Sequence, residues 1–115
     1  MGAKILLVED DTDLSRIFTL ILTRAGYSVV LAENGAEGLE IASRVIFDLI
    51  ITDKMMPVMD GNQLVKELSK LPNPPGVIML TAALGEVEPN PIIKEVCYKP
   101  VTFPRLIELV RNALG

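Results

Sequence analysis

Short apolar runs alternate with helical patterns along this chain, and this alternation is what most constrains its fold. Apolar runs of four to six residues, bounded by turn signals, predict strands at Lys4 to Val8, Ser28 to Ala32, Phe47 to Thr52, Val77 to Leu80 and Glu95 to Tyr98. Four of these runs are followed by apolar residues at helical spacing. Strands that alternate with helices are typical of a parallel sheet covered by helices on both faces.

Four helices are predicted from their apolar stripes and end signals. Gly26 closes the first, whose stripe is Leu14, Ile17, Phe18, Ile21 and Leu22. Asn34 and Glu37 form a cap pair at the start of the second, whose inner face is expected to hold Leu39, Ala42, Val45 and Ile46. The third runs from Asp60 to Lys70 and buries Leu64, Val65 and Leu68. Thr102 caps the last, with the stripe Leu106, Leu109, Val110, Ala113 and Leu114.

The segment between the fourth and fifth strands is irregular. Ala82 to Ile93 contains Gly85, Pro89 and Pro91. Proline lacks a backbone donor and clashes inside a helix, so no more than a turn or two of helix fits here. We expect a shortened or irregular fourth helix.

The expected fold is an α/β, doubly wound, five-stranded parallel sheet. Right-handed crossovers leave few topologies, and strand order 2-1-3-4-5 is the one we expect, with a switch point between strands 1 and 3. A chain of 115 residues fits one domain, so residues 1–115 are interpreted as a single domain.

Composition excludes several function classes. The net charge is −4 and no basic run is present, so direct binding to nucleic acid is not expected. The chain has no histidine, which excludes a Ser-His-Asp triad and histidine metal ligands. Cys97 is the single cysteine, so no internal disulfide can form, and a reducing cytoplasm is expected. The apolar run Ile5 to Val8 is too short for a signal peptide or a membrane span.

Charged and polar side chains follow four of the predicted strands. Glu9 and Asp10 follow strand 1, Asp53 follows strand 3, Thr81 ends strand 4 and Lys99 follows strand 5. The carboxyl ends of parallel strands lie on one edge of a sheet, where α/β proteins place their ligands. We therefore expect these five side chains to converge.

This set of side chains suits phosphoryl transfer. Three carboxylates repel one another unless a cation is present, and hard carboxylate oxygens are preferred ligands of Mg²⁺. Phosphoryl transfer mainly needs positioning and positive charge, which Mg²⁺, the Lys99 ammonium and the Thr81 hydroxyl would supply. Carboxylates can act as nucleophiles that form aspartyl-phosphates, so we interpret Asp53 as a phosphoryl acceptor.

The same motifs resemble those of the receiver domain of two-component response regulators, the CheY-like family. They are Val8-Glu9-Asp10-Asp11, the run Asp53 to Gly61 (Asp-x-Met-Met-Pro-x-Met-Asp-Gly), Thr81-Ala82 and Lys99-Pro100. The resemblance covers essentially the whole chain and implies a flavodoxin-like receiver domain. It implies a phosphoprotein that catalyses only its own phosphotransfer and dephosphorylation and is otherwise not an enzyme.

The resemblance also implies roles for single residues at a magnesium site. Asp53 would take the phosphoryl group from a sensor histidine kinase or a phosphotransfer protein in a phosphorelay. Asp10 and Asp53 would bind Mg²⁺ together with the main-chain carbonyl of Met55, and Glu9 would act through a metal-bound water.

Further roles implied by the resemblance concern the switch. Lys99, before a cis Pro100, would contact a phosphoryl oxygen, and Thr81 would move to hydrogen-bond the phosphoryl group. That movement would switch a protein-interaction surface. A homodimer is left open, and no membrane partner is expected.

The sequence departs from the family pattern three positions before Lys99. Receivers usually carry an aromatic residue or histidine there, and this chain has Val96. Tyr98 is expected to point to the opposite face from Val96 and Lys99, which makes it a poor substitute. We therefore predict phosphorylation without the usual coupling between Thr81 and an aromatic side chain.

Two other functions remain open at this point. One is a receiver-like interaction module that is not phosphorylated, favoured by the irregular 82–98 segment. The other is a Mg²⁺-dependent phosphatase with an aspartyl-phosphate intermediate. Such hydrolases normally carry a second Asp two positions after the nucleophile, where this chain has Met55.

Overall fold

The structure, a computed structural model, describes residues 2–82 and 87–115. Its five strands form one parallel sheet in the order β2-β1-β3-β4-β5, which confirms the predicted topology. The strands are β1 (Lys4–Val8), β2 (Ser28–Ala32), β3 (Leu49–Asp53), β4 (Gly76–Thr81) and β5 (Ile93–Tyr98). The helices are α1 (Thr12–Arg24), α2 (Gly35–Arg44), α3 (Gly61–Leu68) and α4 (Phe103–Leu114).

Alternate residues of the central strands fill two apolar layers, one on each face of the sheet. On one face, side chains such as Ile5 and Ile51 pack against Phe18 of α1 and Leu109 of α4. On the other face, strand residues such as Ile50 pack against α3, with partly buried residues of α2 beside them. β1, β3 and β4 are almost entirely buried because helices cover both of their faces. Their carboxyl ends are therefore held rigidly at one edge.

Each helix begins at a side chain that accepts hydrogen bonds from its first turn. These caps are Asp11, Asn34, Asp60 and Thr102. Asn34 and Thr102 were predicted as caps from the sequence, and both predictions are confirmed. Asp60 forms a full capping box with Gln63, which fixes the start of α3 directly after the loop that follows β3.

The predicted inner face of the second helix is wrong at its end. α2 stops at Arg44, and Val45 has an extended backbone. Val45 is 36% exposed and Ile46 is 83% exposed, so neither packs on the inner face. Two consecutive β-branched residues lose side-chain freedom in a helix, which favours termination before them. The apolar side chain that is buried here is Phe47.

The connection between β4 and β5 contains no helix in residues 82 and 87–92, which are the part of it that the structure describes. Val87 and Ile92 pack against the layer that contains α2 and α3. The Glu88 N–H donates to the Asn62 side chain of α3 at 3.0 Å. The expected shortened or irregular fourth helix cannot be compared at residues 83–86, which lie outside the described residues. The described part of the chain has no helix that is both long and apolar enough to cross a membrane.

Candidate functional site

Residues at the carboxyl ends of four neighbouring strands define the site. Asp53 is the last residue of β3 and Thr81 is the last of β4, and both are buried. Glu9 and Asp10 follow β1, with Glu9 only 4% exposed and Asp10 exposed. Lys99 follows β5 directly. Parallel pairing through β1, β3, β4 and β5 therefore carries all five residues to the same edge of the sheet.

Lys99 makes two ion pairs that join strands remote in sequence. Its Nζ donates to Oδ2 of Asp53 at 2.8 Å and to Oε1 of Glu9 at 3.1 Å. The Glu9 and Asp53 side chains are almost fully buried, and that of Lys99 is mostly buried. The ammonium is thus fixed between two carboxylates in a poorly solvated position, where its charge acts strongly.

The ionisation of Glu9 and Lys99 reflects this packing. The pKa of Glu9 is raised from 4.5 to about 7, first by burial and then by the neighbouring Asp53, and Lys99 only partly opposes the shift. Burial alone would lower the pKa of Lys99, but its hydrogen bonds and charge interactions with Asp53 and Glu9 raise the pKa overall. The carboxylate cluster therefore holds Lys99 in its charged form.

The acidic cluster fits a magnesium ion. Glu9, Asp10 and Asp53 each offer a carboxylate oxygen, and these oxygens lie within 4.8 Å of one another. One ammonium faces three carboxyl groups, which leaves an excess of acidic groups. Hard oxygen donors with this charge are the set that Mg²⁺ prefers. The main-chain carbonyl of Met55 remains only a predicted ligand, and the side chain of Met55 is largely exposed.

Thr81 is connected to Lys99 through the main chain. The Lys99 N–H donates to the Thr81 carbonyl at 2.8 Å, and the Lys99–Pro100 peptide bond is cis. Thr81 itself is buried at the end of β4. The two residues that would contact a phosphoryl group therefore share a direct backbone hydrogen bond.

The loop after β3 is held closely against the end of that strand. The Lys54 N–H donates to the Leu80 carbonyl at 2.8 Å, and the Gly61 N–H donates to the Lys54 carbonyl at 2.7 Å. A Cβ atom on Gly61 would lie 2.6 Å from the Asp53 carbonyl oxygen and 2.8 Å from Lys54 Cα. Gly61 is therefore required for close backbone packing, which fixes the position of Asp53.

Val58, in the same loop, adopts a strained conformation that the sequence did not indicate. Its φ is 70°, and the Met59 N–H donates to the Pro57 carbonyl at 2.8 Å, which closes a γ-turn around it. A β-branched residue rarely adopts a positive φ. Asn or Gly at this position would have signalled such a turn, and valine carries no such signal.

The expected orientation of Tyr98 is wrong. Residues two apart in a strand share a face, and Val96 and Tyr98 both lie on the exposed face of β5. Tyr98 is aligned with Thr81 in the β4–β5 register, and Val96 is aligned with Met79. Position 96 carries a valine and not an aromatic residue, as the sequence analysis noted. Tyr98, however, lies on the same side of the strand as Val96.

Several known proteins have sequences related to that of this chain. The sequence model of the response regulator receiver domain matches residues 5–111. The transcriptional regulatory protein GlrR of Escherichia coli K12 is 50% identical over 80 residues, which are 70% of this chain and 18% of that protein. A response regulator receiver protein of Anaeromyxobacter sp. is 34% identical over 108 residues, 90% of this chain and 45% of its own length. The chain thus spans less than half the length of these two relatives.

Solved structures with the same fold include a CheY-like receiver domain from Methanospirillum hungatei. It has a TM-score of 0.93 and 29% identity, and the match covers 99% of this chain and 94% of that one. The chemotaxis response regulator CheY4 of Vibrio cholerae matches with a TM-score of 0.84 and 29% identity, covering 99% of this chain and all of that one. Together with the sequence match, these likenesses show that the chain belongs to the receiver domain family of two-component response regulators.

Proposed function

We propose that this chain is a phosphoryl-accepting receiver domain in which Asp53 is the acceptor. The observation that carries the proposal is the contact of 2.8 Å between Lys99 Nζ and Asp53 Oδ2 inside an acidic cluster. A surface carboxylate would not need a buried cation fixed against it. A carboxylate that takes up a phosphoryl group needs such a cation, because negative charge accumulates there.

The proposed donor is a phosphohistidine on a sensor histidine kinase or phosphotransfer protein. A carboxylate oxygen of Asp53 forms the new O–P bond as the P–N bond of the donor breaks. The electron pair of that bond returns to the imidazole, which then takes up a proton. This chain has no histidine, so the donor must be a separate protein or domain, or a small acyl-phosphate.

The clustered residues have separate parts in this proposal. Lys99 neutralises charge on the phosphoryl oxygens and keeps Asp53 oriented. Thr81, buried at the end of β4, offers a hydroxyl to a phosphoryl oxygen. Asp10 and Asp53, with the Met55 carbonyl and with Glu9 less directly, would hold Mg²⁺. When bound, Mg²⁺ supplies further positive charge to the phosphoryl oxygens.

Phosphorylation would then change a protein-interaction surface through the strands that carry these residues. We propose that residues 1–115 act as a single receiver domain for this purpose. The non-phosphorylated interaction module is not favoured, because the acids and the lysine that phosphorylation needs are assembled together. The phosphatase alternative lacks its general acid, since Met55 occupies that position.

Mass spectrometry with a small acyl-phosphate donor tests the proposal. The wild-type chain, incubated with acetyl phosphate and Mg²⁺, is expected to gain the mass of one phosphoryl group. Asp53→Asn is expected to gain none. Asp13→Asn is the matched control, because it removes an exposed carboxylate near the site without touching the cluster. Equal labelling of Asp53→Asn and wild type, or no labelling of wild type, would overturn the proposal.

A further inference from the structure

A hydroxyl group is buried in an apolar layer directly before the proposed acceptor. Thr52 precedes Asp53 in β3, and 0% of its surface is exposed. Because side chains alternate along a strand, Thr52 shares a face with Ile50, which packs against α3, and Asp53 points to the other face. A buried hydroxyl is costly unless it is hydrogen-bonded, and valine would fill nearly the same space. The hydroxyl therefore needs a partner.

The partner of this hydroxyl is the main chain of the acceptor itself. Thr52 Oγ1 donates to the Asp53 carbonyl at 3.0 Å. The same oxygen lies 4.0 Å from Met56 Sδ, and a thioether sulfur is a weak acceptor. A threonine hydroxyl has a single proton, so the Asp53 carbonyl is the group that receives it.

The peptide group between Asp53 and Lys54 is thereby held at both ends. Its carbonyl accepts from Thr52, and its N–H donates to the Leu80 carbonyl of β4 at 2.8 Å. The carbonyl oxygen also has little room to move, since a Cβ atom on Gly61 would lie 2.6 Å from it. Rotation of this peptide group about the Asp53 Cα–C bond would break both hydrogen bonds. The direction in which the chain leaves β3 is therefore fixed at Asp53.

The Asp53 carboxylate depends on this peptide group for its position. Its Oδ2 lies 2.8 Å from Lys99 Nζ, and it shares the acidic cluster with Glu9 and Asp10. A shift of the Asp53 backbone would change these distances, and a displacement of about 1 Å can slow a reaction substantially. Thr52 can therefore act on the acceptor, although its side chain lies on the opposite face of the sheet.

We propose that Thr52 is a positioning residue, whose hydroxyl fixes the Asp53–Lys54 peptide group and so orients the Asp53 carboxylate. This rests on the proposed function, in which Asp53 accepts a phosphoryl group. The hydroxyl, and not only the volume of the side chain, then matters for phosphorylation. A role in packing alone would have the reverse consequence, because serine at position 52 leaves a cavity in the apolar layer and valine does not.

The variants Thr52→Val and Thr52→Ser separate the two roles. Labelling by acetyl phosphate with Mg²⁺, followed by mass spectrometry, is expected to be roughly five- to tenfold slower in Thr52→Val, which is the effect of one ordinary hydrogen bond. Thr52→Ser keeps the hydroxyl and is expected to be labelled at a rate within about twofold of wild type. Thermal unfolding is expected to show that Thr52→Ser is nevertheless less stable than wild type.

Amide hydrogen exchange measures the fixing of the peptide group in the metal-free protein. The measured quantity is the exchange rate of the Lys54 N–H divided by that of the Ile50 N–H in the middle of β3. Global unfolding would speed exchange at both positions, so this ratio reports the local effect. Thr52→Val is expected to raise the ratio at least roughly fivefold, and Thr52→Ser is expected to leave it near the wild-type value.

Thr19→Val is the matched control. The Thr19 Oγ1 is buried and has no hydrogen-bond partner among the residues that the structure describes. This variant is expected to match wild type in labelling rate and in the exchange ratio.

Three results would each overturn the proposal: equal labelling rates for Thr52→Val and wild type, labelling of Thr52→Ser as slow as that of Thr52→Val, or an unchanged exchange ratio in Thr52→Val. If wild type itself is not labelled, the proposed function fails. The exchange ratio, which needs neither Mg²⁺ nor a phosphoryl donor, then supports or overturns the fixing of the peptide group by Thr52.

Discussion

Lys99 Nζ lies 2.8 Å from Asp53 Oδ2, although 46 positions of sequence separate the two residues. Both side chains are mostly removed from solvent, and Glu9 shares the same ammonium. The pair links the ends of β3 and β5, which are separated in the sheet by β4. The contact is therefore a tertiary link as well as part of the proposed site.

Replacing Lys99 by methionine is expected to destabilise the metal-free protein. The change leaves two buried carboxylates without their cation, which costs several kcal/mol in fully buried pairs. Because Lys99 is partly exposed, we expect about 1–3 kcal/mol from urea unfolding. Lys70→Met is the control, since it removes only the exposed pair with Glu67, and is expected to cost no more than about 0.5 kcal/mol. Equal losses in both variants would contradict the expectation.

Magnesium is expected to raise the unfolding temperature of the wild-type chain. A ligand that binds only the folded state stabilises it by about 2.7 kcal/mol at a hundred times its dissociation constant. Asp10→Asn removes one of the three clustered carboxylates and is expected to need a much higher Mg²⁺ concentration for the same shift. Thermal unfolding at increasing Mg²⁺ measures both. Asp13→Asn should follow wild type, and a response of Asp10→Asn that equals wild type would exclude Asp10 as a ligand.

Gly61→Ala is expected to destabilise the fold and disturb Asp53. The new Cβ would lie 2.6 Å from the Asp53 carbonyl oxygen, and backbone atoms cannot give way cheaply. We expect a loss of about 1–3 kcal/mol in unfolding free energy, in the range of overpacked cores. Gly76→Ala is the comparison, because its Cβ would meet only the flexible Lys94 side chain, at 3.0 Å. Chemical denaturation of both variants distinguishes a specific backbone clash from a general intolerance of alanine.

Much of the fold could be predicted from sequence because its signals are local. The bounds of β1 and β2 agree with the apolar runs, and the Asn34 and Thr102 caps were indicated by residue type. The same logic failed at Val45 and Ile46, where apolar periodicity continues beyond the end of α2. Periodicity records which residues are apolar, and it does not record where tertiary packing ends a helix.

The candidate site was predictable for a different reason. Parallel strands have all their carboxyl ends on one edge, so the topology alone brings Glu9, Asp10, Asp53 and Lys99 together. The sequence could not give the burial of Glu9 or its raised pKa, since both depend on packing. Nor did it indicate the strain at Val58, because valine has no preference for a positive φ.

Val58→Gly is expected to stabilise the protein. Glycine tolerates the positive φ that valine adopts here, and the valine side chain is 82% exposed, so little burial is lost. Relief of about 1–2 kcal/mol exceeds the added entropy of the unfolded glycine, which leaves a gain of about 0.5–1 kcal/mol. Val58→Ala keeps an L side chain in the same turn and should stay near wild type. Thermal unfolding that shows Val58→Gly below both would disprove the strain argument.

The hydrogen bond from the Lys99 N–H to the Thr81 carbonyl has a mechanical consequence. Any displacement of the backbone at Thr81 must either break that bond or carry the outermost strand with it. A chemical event at Asp53 that moves Thr81 would therefore also displace the backbone at Lys99, next to the exposed Tyr98. This coupling would not require any helix to move.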